Sequence, residues 1–400
     1  MTSRRLAIAL AALLLLAIAG EILSRMIPGG AEAALGIGHA ETERQIRAQW
    51  ELTATTYAPD PELGARLAPL RRDAFDTPEF DYTLQTDHAG FTNPEPWPSH
   101  ADVAVLGDSL LNGTGVGIDG QFTTLLDRRL EDQTVFNLGL PGGGTEHQYR
   151  TYRRYAAPLA PDLVIAVLWL MWDIDNSVQF EHWLTEAAGQ DFTQYRKSYG
   201  TTHRQDAQEA TGPGRIWQSV KDLLGRSLLV RAACGSVKSL LGTDPTIDAV
   251  TLPDGDTIVL SARGQMRLAA GADRPDTPNI REVFFGPLQR LQTEVEAHGG
   301  RFLVVLVPSK EELYAAEAFP EVLRTVREVK AELVARQLPV LDLYPEFRER
   351  GENASPFYPV DMHLNALGNQ IVADAIERWI VERELFSSRS TASDVTRGSD

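Results

Sequence analysis

Val103-Ala104-Val105-Leu106-Gly107-Asp108-Ser109-Leu110-Leu111-Asn112 is the stretch on which the fold of this chain turns. Four small apolar residues, Val103 to Leu106, read as a short strand buried on both faces. Gly107 lets the backbone turn, and Ser109 follows at once. A serine at the end of a buried strand is fixed by the sheet while its hydroxyl stays free, which suits a nucleophile. A strand ending in Gly-Asp-Ser is also a common plain turn. The functional reading therefore needs a base, an orienting acid and an oxyanion site elsewhere in the chain.

Outward from that stretch the pattern alternates. Phe122 to Leu130 has helical spacing, and Thr134 to Leu138 is a second short strand. The glycine stretch Gly139-Leu140-Pro141-Gly142-Gly143-Gly144 leads into a helix from about Thr145 to Ala156. Asp162 to Leu170 is a nearly continuous apolar run, as expected of a strand buried on both faces. Further strands are expected at Arg301–Val307 and Val340–Leu343, with helices at Phe284–Ala297, Phe319–Arg336 and Ala366–Glu382. This is an α/β chain with a mostly parallel sheet. Phe80 to Asp87 alternates like a strand ahead of it, and His88 to Phe91 reads as a turn. Between about 181 and 279 the pattern changes to polar loops, a helix near Ile216–Leu224 and a hairpin at Ala249–Leu260 turning on Asp254-Gly255. We read it as an insertion over the sheet's edge or mouth.

The 400 residues, 43% of them hydrophobic, suffice for one large folded domain. A formal charge of -17 without a basic run argues against a nucleic-acid partner. The single cysteine, Cys234, rules out an intrachain disulfide and a Cys-based metal site. Arg4 and Arg5 precede the apolar run Leu6–Gly20, placing the N-terminus in the cytoplasm and the following chain across a membrane. The helical pattern continues through Glu21–Ile27, so residues 1–27 read as an uncleaved anchor in preference to a signal peptide cut near Ala17–Ala19. Residues 28–78 read as a stalk, 79–386 as the folded domain and 387–400 as a disordered tail.

The second informative site is Asp361-Met362-His363, just before a helix that Asn365 can cap. A carboxylate two residues from a histidine reaches Nδ1, fixes the tautomer and leaves Nε2 to take a serine proton. The same three residues also fit an ordinary loop with a cap. The third site is Gly139–Gly144, whose backbone N–H groups suit an oxyanion hole shared with the Ser109 N–H. His147, at the head of the following helix, can line a site. No His-x-x-x-His or Glu-x-x-His spacing occurs, so no metal is expected.

Gly107-Asp108-Ser109-Leu110, Asn137-Leu138-Gly139-Leu140-Pro141-Gly142 and Asp361-Met362-His363, in this order, resemble the SGNH (GDSL-type) hydrolase superfamily over about residues 81–380. The resemblance implies a three-layer, flavodoxin-like sandwich. It implies Ser109 as nucleophile, His363 as base, Asp361 as orienting acid, and Ser109 N–H with Gly142 as oxyanion donors, acting on an ester without a cofactor. Asp108, Trp172 and His147 are expected on the substrate side. One block departs: the family's third oxyanion donor, an asparagine after the third strand, is replaced in Leu168–Asn176 by Met171 or Trp172, and Asn176 is left as the candidate donor. Val307-Pro308-Ser309-Lys310-Glu311, with the N-terminal anchor, looks like the alginate O-acetyltransferase-like branch. That resemblance implies an envelope protein acting on acyl, chiefly acetyl, esters of an extracytoplasmic polysaccharide or other glycan, with a membrane acyltransferase as a possible companion. A non-catalytic glycan-binding or assembly protein of the envelope is the alternative. Lys310 reads as a solvated lysine at a helix start, the other option being a contact to an acidic sugar.

Overall fold

The computed structural model describes residues 42–46, 48, 57–187, 189–199, 247–272 and 279–386. The described residues from 57 to 196 and from 247 to 386 belong to one compact unit. Its N-terminal part is two antiparallel hairpins, β1 (Tyr57–Asp60) with β2 (Gly64–Leu67) and β3 (Arg72–Asp76) with β4 (Asp81–Gln85). The central sheet is built from β5 (Val103–Gly107), β6 (Val135–Gly139) and β7 (Leu163–Leu168). A small antiparallel pair, β8 (Ala249–Thr251) and β9 (Thr257–Val259), follows. The sheet is completed by β10 (Arg301–Leu306) and β11 (Val340–Asp342), in the order β11-β10-β7-β5-β6, all parallel.

The apolar runs divide by the two-residue period of a strand. Ala104, Leu106, Val164, Ala166, Leu168, Phe302, Val304 and Leu306 enter one core layer. Val103, Val105, Leu163, Ile165, Val167, Leu303 and Val305 enter the other. Helices Gly286–Ala297 and Arg324–Ala335 cover the first face through Leu288, Leu291, Val329 and Leu333. Helices Phe122–Arg129 and Ala366–Glu382 cover the second through Phe122, Leu126, Ile371, Val372 and Ile376. The result is the three-layer α/β sandwich expected from the sequence. The chain leaves β5 toward β6 on one side and reaches β7 on the other, so β5 is the switch point, where open parallel sheets bind ligands at their carboxyl ends.

Two boundaries differ from the sequence reading. Residues 57–76, taken as stalk, form β1, β2 and β3, with Leu67 and Phe75 buried against Tyr82 and Leu84. These strands are four or five residues long with only one or two buried positions each, too short for a pattern to show. The run expected as one helix from 319 to 336 is a 3-10 turn, Pro320–Leu323, followed by the α-helix Arg324–Ala335. The expected hairpin at 249–260 is present, with Gly255 at φ +96° in its turn. The anchor, most of the stalk, the helix near Ile216–Leu224 and the tail lie outside the described residues. Among the described residues no helix is long and apolar enough to cross a membrane.

Candidate active site

Ser109 opens a 3-10 turn, Ser109–Asn112, directly after β5. Gly107 is not in the left-handed region. Its smallness serves packing, because a Cβ there would come within 2.5 Å of Leu111 Cδ1 and 3.2 Å of Val167 Cβ. Asp108 caps the turn, its Oδ1 accepting from the Leu110 N–H at 3.0 Å. The 254-residue gap to the second motif closes here. His363 Nε2 lies 3.0 Å from Ser109 Oγ, and His363 Nδ1 lies 2.8 Å from Asp361 Oδ1. The same Asp361 oxygen accepts the His363 backbone N–H at 2.8 Å. The Asp-x-His spacing thus lets one carboxylate oxygen fix both backbone and ring, and Asn365 caps the following helix as anticipated.

Burial opposes charge on both groups, but their attraction outweighs it. Burial pushes the Asp361 carboxyl up, yet His363, its hydrogen bonds and Lys310 hold it below its ordinary value. Burial pushes the His363 imidazole down, yet Asp361 and then Asp108 hold it above its ordinary value. Trp169, buried at the end of β7, sets its ring 5.8 Å from the imidazole.

The loop carrying the pair is gripped from two sides. Lys310 is buried, and its Nζ donates to the carbonyls of Val360 at 2.8 Å and Asp361 at 3.0 Å, with Pro359 at 3.3 Å. Glu79, between β3 and β4, accepts the N–H groups of Val360 at 2.6 Å and Asp361 at 2.7 Å. The expectation of a solvated Lys310 is therefore corrected: Ser309 caps its short helix and turns the lysine inward under the loop. Glu79 was not anticipated, and its 281-residue separation from Val360 leaves no local signal.

On the oxyanion side, Asn137 ties β6 to the serine turn. Its Nδ2 donates to the Leu111 carbonyl at 2.7 Å and its Oδ1 accepts from the Gly139 N–H at 2.9 Å. The following turn needs glycine at 142, where φ is +69°. Gly143 N–H donates to the Leu140 carbonyl at 2.8 Å and Gly144 N–H to His147 Nδ1 at 3.1 Å. Among the described residues the Gly142 N–H meets no acceptor, the state required of an oxyanion donor.

The remaining expected site residues fare differently. Asn176 is buried, and its Nδ2 faces the Gly143 carbonyl at 3.4 Å, so it buttresses the glycine turn instead of presenting a donor. His147 is buried and stacks on Phe180 at 3.6 Å between ring centroids. Burial, then Arg196 and Arg150, drive its pKa down to about 3. It is a neutral packing histidine, not a substrate contact. Asp108 is likewise buried at 2% exposure, below the serine turn and not on the substrate side. Burial raises its pKa to about 6 against the Leu110 N–H and His363. Asp173 is its buried neighbour; burial and then Asp108 push its pKa well up, and its Oδ2 accepts from the Trp169 N–H at 2.7 Å. Trp172 does border the site. Its Nε1 contacts Met362 Sδ at 3.2 Å, and the Arg267 guanidinium lies 4.5 Å from its ring centroid. At the opposite ends of the strands, His100, Asp102 and Asp162 bring one ligand atom each within 4.8 Å of one another. The His100–carboxylate contacts there are 3.5 and 3.7 Å.

A family model described as "SGNH hydrolase-like domain, acetyltransferase AlgX" matches residues 274–398, a stretch that holds Lys310, Asp361 and His363 but not Ser109. Among solved structures, the chain is similar to the acetyl xylan esterase AlAXEase at 12% identity and TM-score 0.35, over 70% of this chain and 99% of that one. It is similar to a lipase/acylhydrolase from Enterococcus faecalis at 13% identity and TM-score 0.35, over 70% and 96%. It is also similar to Axe2, an acetylxylan esterase from Geobacillus stearothermophilus, at 11% identity and TM-score 0.35, over 71% and 95%. No curated protein matches the chain.

Proposed function

We propose that this protein is a serine esterase or O-acyltransferase that works through an acyl-Ser109 intermediate. The observation that carries the reading is the unbroken relay from Ser109 Oγ to His363 Nε2 and from His363 Nδ1 to Asp361, at 3.0 and 2.8 Å. The match of residues 274–398 to an acetyltransferase-described SGNH domain supports it. In this reading His363 takes the Ser109 proton as Oγ attacks the acyl carbonyl carbon. The tetrahedral oxyanion is held by the N–H groups of Ser109 and Gly142. Collapse breaks the ester C–O bond, and the imidazolium returns its proton to the departing alcohol. Water or a sugar hydroxyl, deprotonated by His363, then releases the acyl group. The substrate we assign is an acyl, chiefly acetyl, ester of an extracytoplasmic glycan, with residues 1–27 anchoring the protein in the envelope membrane.

The alternative is a non-catalytic glycan-binding or assembly protein, which the missing third-strand asparagine would favour. Ser109→Ala is expected to lower kcat/KM on 4-nitrophenyl acetate at least a thousandfold, with the circular dichroism spectrum unchanged. Equal, slow hydrolysis by wild type and variant would sink the enzymatic reading and leave the binding one.

A further inference from the structure

Arg196 stands outside the relay and leans on the oxyanion turn. A Cβ built on Gly142 would lie 2.3 Å from Arg196 Nη1 and 2.6 Å from Nη2. Glycine at 142 therefore does two things: it reaches φ +69° and it leaves room for a guanidinium. The guanidinium carbon lies 5.7 Å from the Phe192 ring centroid, and Tyr57 and His147 are polar neighbours. Burial draws the Arg196 pKa down, partly opposed by Tyr57.

The nearby arginines behave otherwise. Arg150 pairs with Glu146 at 2.8 Å, and Arg66 and Arg154 pair with Asp60 at 3.3 and 2.9 Å. Among the described residues no carboxylate pairs with Arg196. Arg196 is half-buried, and a guanidinium held without a counter-ion against a backbone turn is placed to meet a ligand's negative charge. A guanidinium fork also matches the two oxygens of a carboxylate or phosphate.

We propose that Arg196 and the Gly142 turn form an anion subsite, which takes a carboxylate or phosphate group carried by the substrate beside the reacting ester. The subsite rests on the serine-ester reading for its placement, and its charge selectivity is additional to that reading. The anion sits either on the acyl part, as in a succinyl half-ester, or on the alcohol part, as in an acidic sugar. Either way the positive charge at Arg196 makes binding fall with ionic strength.

The test compares wild type, Arg196→Met and Arg196→Gln on two substrate pairs. One pair is 4-nitrophenyl acetate against mono-(4-nitrophenyl) succinate; the other is O-acetylated methyl glucoside against O-acetylated methyl glucuronide. Wild type is expected to favour the anionic member of one pair by tenfold or more in kcat/KM, chiefly through KM. The pair that responds identifies the side bearing the anion, and in both variants that ratio falls toward one. A second arm needs no turnover. Calorimetric titration of Ser109→Ala with succinate, glucuronate or inorganic phosphate should show binding of at least one, and Ser109→Ala/Arg196→Met should bind none of them. If no anion binds and no anionic substrate is preferred, or if the preference survives in both variants, the subsite is refuted. Anion binding by an otherwise inactive protein would refute the ester reading while keeping the subsite.

Discussion

At Asp361 a single carboxylate oxygen takes two N–H groups of one histidine, which explains why a two-residue spacing suffices to orient a base. The charge matters as much as the geometry. Asp361 is the chief group holding the His363 pKa above its ordinary value, against burial. A general base must be neutral, so activity rises as pH passes upward through that raised pKa. Asp361→Asn removes the attraction that raises it. The acid limb of the kcat/KM profile should move to lower pH, and kcat should fall by on the order of 10³–10⁴, as when such an acid is neutralised elsewhere. A pH–rate profile with an unmoved acid limb would show that Asp361 does not set the base. The Asp-x-His pair and the strand-end serine were legible in the sequence because each is a local pattern. The roles expected of Asp108, His147 and Asn176 were not correctly read, since adjacency to a motif does not say which way a side chain points. All three are buried, and the structure turns them toward the Leu110 N–H, the Gly144 N–H and the Gly143 carbonyl.

Among elements, the irregular segment 358–363 is held by side chains from two distant parts of the chain. Beside the isolated bridge Phe357 with Leu364, the Val259 N–H donates to the Pro359 carbonyl at 2.8 Å and the Tyr358 N–H to the His363 carbonyl at 3.2 Å, while the N–H and carbonyl groups of Val360 and Asp361 are met by side chains. Lys310 satisfies its carbonyls and Glu79 its N–H groups, so two opposite charges from distant elements replace the sheet hydrogen bonds that a loop lacks. Lys310→Met takes the ammonium donor from the half-buried Val360 carbonyl and the buried Asp361 carbonyl, a cost on the order of 1–3 kcal/mol. It also removes a positive charge that lowers the His363 pKa. The acid limb should therefore move to higher pH, opposite to Asp361→Asn, and the amides of Val360 and Asp361 should exchange faster with solvent. A variant that loses stability while both readouts stay put would make Lys310 a packing residue alone. Glu79 links this loop to the β3–β4 hairpin, so β3, taken as stalk, belongs to the machinery that holds the base. Their period-2 signal was weak: in β3 only Phe75 is buried.

Over the whole molecule, several carboxyls are buried where they prefer to be neutral. Glu312, which completes the capping box with Ser309, has its pKa raised to about 7: burial raises it most, the hydrogen bonds from Ser309 oppose this, and Glu311 adds to it. A folded pKa above the unfolded value means the native state holds the proton more tightly. The stability tied to that proton is fully present below about pH 4.5 and is lost as pH rises to about 7. Glu312→Gln keeps the cap and has no charge to bury. Its urea midpoint should match wild type near pH 4.5 and exceed it at pH 8, by on the order of 1–3 kcal/mol in stability. A Glu312→Gln protein less stable than wild type at pH 8 would show that the ionised carboxylate is instead favourable there.

The sequence by itself determined the layered α/β fold, the five parallel strands and the chain order of serine, glycine turn and Asp-x-His pair. Each rests on local information: apolar runs of strand length, helical periodicity, and residues two or three apart. The tertiary structure alone decided which charges are buried and what they meet. Glu79 under the base loop, Lys310 beneath its carbonyls and Arg196 against Gly142 are contacts of side chains with chain-distant backbone. A charged residue has the same sequence signature whether water or a backbone carbonyl satisfies it. Only the packing of the surrounding elements removes the water and so fixes its role.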